Sequence, residues 1–278
     1  MTALDFDHGH PELVFAPSEI GGMREALATA GCFVIRQLFD RDAICRARAR
    51  AVAVAANIDA KVERGDTAGY EQFLSGAYGA GHLPEAELDV PLTTAELFQA
   101  SSYGTIAQSI FGSASFGFAL RRSHFKGSPN PLGFHQDAFF SDFSYNFWTP
   151  LNDAGMTSAN LELIIGSGEP LFPLTGISDS VLTEQCLRQC YGNHAFWHPI
   201  IKAGDVLVFS TFVMHRTRQT PEMADERYSM EIRGPITAPV KIVGVPSDPN
   251  AAMRLSSIAE LSDFMLRRNA NVNSTAQV

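Results

Sequence analysis

Up to Gly112 the apolar residues recur at three- and four-residue spacing. Beyond it they fall into short runs and alternations, and this change of period divides the chain into a helical part and a β part. Ser18-Glu19-Ile20 opens a first helix that runs to about Ala30 and stops at Gly31, with Ser18 in the N-cap position. Cys32-Phe33-Val34-Ile35 follows as a short buried strand. Asp40 caps a second helix, whose apolar positions are Ile44, Ala47, Ala51, Val54 and Ala55. Residues 60–90 are rich in Gly and charge without a period and predict a long loop over a pocket. Thr94 begins a third helix, with Leu97, Phe98, Ile106 and Ile110 on its inner face and Gly112 as its stop.

The second part carries β-branched and aromatic segments at 115–126, 145–151, 160–165, 198–201, 205–213, 227–233 and 238–244, punctuated by Gly, Pro, Asn and Asp. One helix, about 179–191, interrupts them. Helices first and a run of strands afterwards predict an α+β, mainly β fold: a β-barrel or two-sheet jelly roll buttressed by the N-terminal helices. No shift of composition argues for a second domain, so residues 1–278 form one unit with a core over about 13–245 and a polar tail over about 268–278.

Composition narrows the function classes. With 45% hydrophobic and 18% charged residues the chain is globular, not disordered. A net charge of -9 and a pI near 5.3 argue against nucleic acid or an anionic membrane surface as partner. No run of 18 apolar residues is present, and the acidic start Met1-Thr2-Ala3-Leu4-Asp5 lacks the order of a signal peptide. Cys32, Cys45, Cys186 and Cys190 show neither zinc spacing nor disulfide density, which fits free thiols in a reducing cytoplasm. A small-molecule substrate is the partner this leaves, and a homodimer stays open.

His135-Gln136-Asp137, with His215 far downstream, supplies the chemistry. Two imidazoles and one carboxylate hold non-haem Fe(II) on one face, leaving the remaining positions open to a co-substrate and O2. The i, i+2 spacing suits a strand, where alternate side chains share a side, and Gly133–Phe140 after a Pro/Gly loop predicts one. Among 8 histidines a lone His is a packing or surface residue more often than a ligand, and the His-x-Asp triplet alone is weak. Gly204-Asp205 feeding the apolar run Val206–Met214 into His215 adds the specificity. Two other classes share such ligands: a cupin-like metal-binding protein without oxygenase activity, and a mononuclear metal hydrolase. The hydrolase needs a general base beside the metal, and none stands out.

Gly31-Cys32-Phe33-Val34-Ile35, the His-Gln-Asp segment, Trp148-Thr149-Pro150-Leu151-Asn152-Asp153, the Gly-Asp…His strand and Arg227-x-Ser229 occur in one order across residues 13–240. In these features the chain resembles the phytanoyl-CoA dioxygenase (PhyH-like) group of Fe(II)/2-oxoglutarate oxygenases. The resemblance implies a double-stranded β-helix (a cupin-like jelly roll) with Fe(II) held by His135, Asp137 and His215, and with 2-oxoglutarate and O2 as co-substrates. It implies Arg227 as the anchor of the distal 2-oxoglutarate carboxylate, a role for which a guanidinium fork is suited. Arg233, on the same face of a regular strand, competes for that role, and the resemblance selects Arg227. Ser229 would add a hydrogen bond, while Trp148 and Lys126 would border the co-substrate. Phe139, Phe140 and Tyr145 follow the iron segment and are the candidates for substrate contact. The implied reaction is oxidation of an unactivated C–H bond of a small metabolite, hydroxylation first, with desaturation or ring-forming oxidation open, and with release of succinate and CO2. Related halogenases carry Gly or Ala where this chain has Asp137. The chain departs from the pattern at Asn160–Gly168, where many relatives carry Pro-Gly-Ser-His.

Overall fold

The computed structural model describes residues 9–68, 81–82, 101–111, 117–123, 133–137, 145–168 and 184–234. Helix α1 (Ile20–Thr29) buries Met23 and Ala26. Its N-cap position is Glu19, one residue later than expected for Ser18, and no side chain caps it. The Glu19 carboxylate turns back to accept from Ala16 N at 2.6 Å instead. Gly31 ends the helix at φ +77, donating from its N–H to Ala26 O at 3.1 Å.

After β1 (Val14–Phe15) and β2 (Cys32–Ile35), helix α2 (Arg41–Glu63) begins where Asp40 accepts from Ala43 N at 3.0 Å. It buries Ala43, Ile44, Ala47, Ala51, Ala55 and Ile58, and continues past residue 60, where a loop was expected. Its spacing persists through Ile58 and Val62, so the apolar face outlasts the Gly-rich composition. Helix α3 (Tyr103–Phe111) contains the expected inner residues Ile106 and Ile110. The predicted segments over 69–80, 83–100 and 238–244, including Leu97 and Phe98, lie outside the described residues.

Two sheets follow. The larger has seven strands in the order β1-β2-β8-β5-β10-β4-β3, with β3 (Gly81–His82), β4 (Gly117–Ser123), β5 (Tyr145–Pro150), β8 (Val206–Ser210) and β10 (Arg227–Gly234). Only its β1–β2 pair is parallel. The smaller has the antiparallel order β7-β6-β9, with β6 (Asn160–Ile164), β7 (Phe196–Trp197) and β9 (His215–Arg218). Helix α4 (Glu184–Tyr191) precedes β7.

Two predicted strands shift. The strand expected at 198–201 forms two residues earlier, at Phe196–Trp197, and only Ile201 keeps an isolated bridge, to Ala154. Pro199 has no N–H to give to a ladder at that point. The strand expected over 205–213 ends at Ser210, where Val213 N donates to Ser210 O at 2.8 Å and closes a turn. His215 therefore opens a strand of the second sheet and does not end a strand of the first.

The start of β8 is fixed by its turn. Gly204 sits at φ +97, and a Cβ there would lie 2.9 Å from Phe39 O. Asp205 accepts from Arg36 Nη1 at 2.6 Å, Gln37 N at 2.8 Å and Lys202 N at 3.0 Å, tying β2 to β8.

Register separates the two faces of the large sheet, because directly opposed residues of an antiparallel pair project to one side. One face carries the row Phe33, Val208, Phe147. Phe147 meets Tyr103 and Phe111 of α3 at ring centroid distances of 5.1 and 5.3 Å, and this is the packed core beneath the helices. The other face carries the row Val34, Leu207, Trp148, Glu231, flanked by Asn146, Ser229 and Arg227. That second face meets the small sheet: Phe209 of β8 lies 4.7 Å from the His215 ring, and Arg227 Nη1 donates to Ala159 O at 3.4 Å.

Candidate metal centre

His135 and His215 face each other as a closed antiparallel pair. His135 N donates to His215 O at 3.0 Å, and His215 N donates to His135 O at 2.9 Å. Of the strand expected over Gly133–Phe140, the described residues 133–137 show this single bridge, and 138–140 lie outside the described residues. The bridge suffices to place both rings on one side, with centroids 4.3 Å apart.

Each ring is then turned by a carbonyl two residues before it. His135 Nδ1 donates to Gly133 O at 2.9 Å, and His215 Nδ1 donates to Val213 O at 2.9 Å. A carbonyl can only accept, so each Nδ1 carries a proton, and in the neutral ring the lone pair then sits on Nε2. Gln136 points away between them, donating to Phe212 O at 2.6 Å and Ser167 O at 3.3 Å. Ser167 in turn accepts at its Oγ from Met214 N at 2.8 Å. The segment after β6, where the chain departs from the PhyH-like pattern, thus braces the backbone that carries His215.

Asp137 completes the group. Its Oδ1 lies 3.5 Å from His135 Nε2, and its Oδ2 lies 3.7 Å from His215 Nε2. One ligand atom from each of the three residues lies within 4.8 Å of the others. Ligand atoms roughly 2.1 Å from a first-row ion at right angles lie about 3 Å apart, so small rotations close this set on a metal. His215 is buried, and burial followed by the neighbouring His135 lowers its pKa to about 4, which keeps it neutral and ligating at pH 7. Lone-pair nitrogens, one carboxylate and both Nδ1 protons engaged elsewhere fit a divalent transition metal.

Arg227 and Ser229 lie on the same face of β10, both nearly closed to solvent at 2% and 1% exposure. The Arg227 guanidinium stands 5.1 Å from the Trp148 ring centroid, so the two share one wall of the interior. Arg233 follows on β10 opposite Asn146, with its side chain outside the description. Tyr145 lies on the helix-facing side, 4.3 Å from the Phe111 ring centroid, and burial raises its pKa. Its place is therefore the packing layer and not the pocket expected for it, because it is one residue out of phase with Asn146 and Trp148. Lys126, Phe139 and Phe140 lie outside the described residues.

Two buried polar residues on the interior face went unnoticed in the sequence. Asn146 donates from Nδ2 to Asp137 Oδ2 at 2.7 Å. Glu231, at 4% exposure, is near enough to His215 to act on its charge. Asn146 shares the strand phase of Trp148, and Glu231 that of Arg227 and Ser229, which was the available signal.

Solved structures share this arrangement of elements. The epimerase SnoN, in complex with Fe3+, alpha ketoglutarate and nogalamycin RO, is similar with a TM-score of 0.57 at 16% identity, over 84% of this chain and 93% of that one. EctD from S. alaskensis, in its apoform, gives 0.54 at 17% identity over 86% and 87% of the two chains. The non-heme alpha ketoglutarate dependent carbocyclase SnoK from nogalamycin biosynthesis gives 0.53 at 13% over 76% and 81%. No family model matches the chain, and no curated protein sequence is similar to it. At these identities the likeness establishes the fold alone.

Proposed function

We propose that the protein is a non-haem Fe(II)/2-oxoglutarate-dependent dioxygenase of the PhyH-like kind, acting on a small molecule. In this reading its two sheets are the halves of a double-stranded β-helix. One observation carries the proposal: His135, Asp137 and His215 converge, with both imidazole Nε2 atoms freed by Nδ1–carbonyl bonds. His135 and His215 would hold the ion through Nε2, and Asp137 through its carboxylate. Bound iron and 2-oxoglutarate supply O2 activation coupled to oxidative decarboxylation to succinate and CO2. Arg227 holds the distal carboxylate of the co-substrate, with Ser229 as second donor and Trp148 as the wall beside them. Burial of these groups strengthens their attraction for a dianion by excluding water.

The reaction assigned is hydroxylation of a C–H bond. With iron bound, Asp137 would take the position that related halogenases leave to a halide. The test is succinate formation by anaerobically iron-loaded protein exposed to O2, 2-oxoglutarate and a panel of small metabolites. A metabolite that stimulates succinate and gains one oxygen supports the reading. Full iron loading with no 2-oxoglutarate consumption under any condition contradicts it.

A further inference from the structure

We propose that Asn146 is the positioning residue for the carboxylate of the metal site, which rests on the reading of the triad as an iron site. The two imidazoles are each oriented by a backbone carbonyl, whereas the carboxylate receives a side chain: Asn146 Nδ2 donates to Asp137 Oδ2 at 2.7 Å. The amide can face only this way, because its reversal would set a carbonyl oxygen against a carboxylate oxygen. An N–H held on Oδ2 fixes the rotation of the carboxylate about its Cβ–Cγ bond.

Asn146 is an expensive residue to place here. It has no exposed surface and stands between Tyr145 and Phe147 on a strand otherwise packed into aromatic and aliphatic layers. Its Oδ1 makes no hydrogen bond at all. Buried acceptors are nearly always satisfied, and the exceptions mark an ordered water, an ion or a functional site. Stability alone would favour an apolar residue of similar volume. An amide that spends its donor on the metal-binding carboxylate and keeps its acceptor bare is a part of a site completed by a further group.

The experiment compares wild type, Asn146→Ala and the volume-conserving Asn146→Leu by anaerobic Co(II) titration, with d–d absorption and apoprotein melting recorded together. Both variants lose the donor, and only Ala leaves a cavity. The expected result is a fall in Co(II) affinity of about 10- to 100-fold in both. The d–d spectrum should change in both, reporting a carboxylate free to rotate. A purely structural role would lower the melting temperature and leave affinity and spectrum unchanged. Wild-type affinity and spectrum in either folded variant overturns the inference while the metal site stands. A wild-type protein that binds no Co(II) overturns both.

Discussion

The two faces of the seven-stranded sheet are built by the same strands and do opposite things. On one side stand Phe33, Val208 and Phe147, each at 0% exposure, and Phe147 meets Tyr103 and Phe111 of α3 edge-on. On the other, at the alternate positions, stand Asn146, Trp148, Arg227, Ser229 and Glu231, equally buried but polar or charged among aromatics. Burial alone therefore does not distinguish them. Burying apolar surface stabilises at about 25 cal/mol per Å2, whereas burying amides and charges has a cost that hydrogen bonds only partly offset. One face contributes stability. The other uses part of it to hold polar groups where water is excluded.

The comparison is broken most strongly by exchanging effects between faces. Phe147→Ala should destabilise the protein by about 3–5 kcal/mol in denaturant melts and leave Co(II) affinity of the folded fraction unchanged. A weakened metal site at full folding would show that the faces are not separable. Arg227→Ala should do the reverse. Its loss leaves a buried co-substrate carboxylate unpaired, at about 2–5 kcal/mol or on the order of 10^2-fold in apparent 2-oxoglutarate affinity, with iron binding nearly unchanged. If Arg233→Ala gives that phenotype and Arg227→Ala does not, the anchor lies at the other end of β10.

Acid should act on the site face first. His215 takes its proton near 6.5 when unfolded and near 4 when folded and metal-free, because burial disfavours the charged ring. Between these values the unfolded state binds more protons, so stability falls as the pH drops from about 6.5 to about 4. The loss is on the order of 3 kcal/mol at most, and it is absent above that window. Melts of the metal-free protein across this range should show the slope, and His215→Asn should flatten it. An equal slope in the variant assigns the acid sensitivity elsewhere. The smallest effect is on the helical side: Asp40→Ala removes the α2 cap for about 1 kcal/mol and leaves metal affinity and 2-oxoglutarate requirement untouched.

What could be read in the sequence follows the same division. Period and punctuation located α1, α2 and most strands, since Gly31, Asp40 and Gly204-Asp205 act on their own neighbours. His135, Asp137 and His215 were legible because metal chemistry restricts the residue types, and the structure brings them together. The break between β8 and β9 was not legible. Thr211–Met214 continues an apolar run, and only a turn closed onto Ser210 shows that the chain changes sheets there. Gln136, Ser167 and Asn146 were missed for a related reason. Each acts on a group away from it in sequence, through hydrogen bonds that no local pattern announces. Tyr145 was misplaced by reading proximity to the iron segment as direction, when strand phase turns it to the helices.

Iron and 2-oxoglutarate held together by the polar face and the small sheet would be seen directly in one titration. The direct measurement is an anaerobic titration of the protein with Fe(II) and then 2-oxoglutarate, followed by visible absorption, for wild type and Asp137→Ala. The account predicts one Fe(II) per chain and a metal-to-ligand charge-transfer band that appears on 2-oxoglutarate addition in wild type, with both absent in Asp137→Ala at unchanged helical content. A wild-type protein that gives no band with saturating iron and co-substrate, or an Asp137→Ala variant that gives the same band at the same stoichiometry, would contradict it.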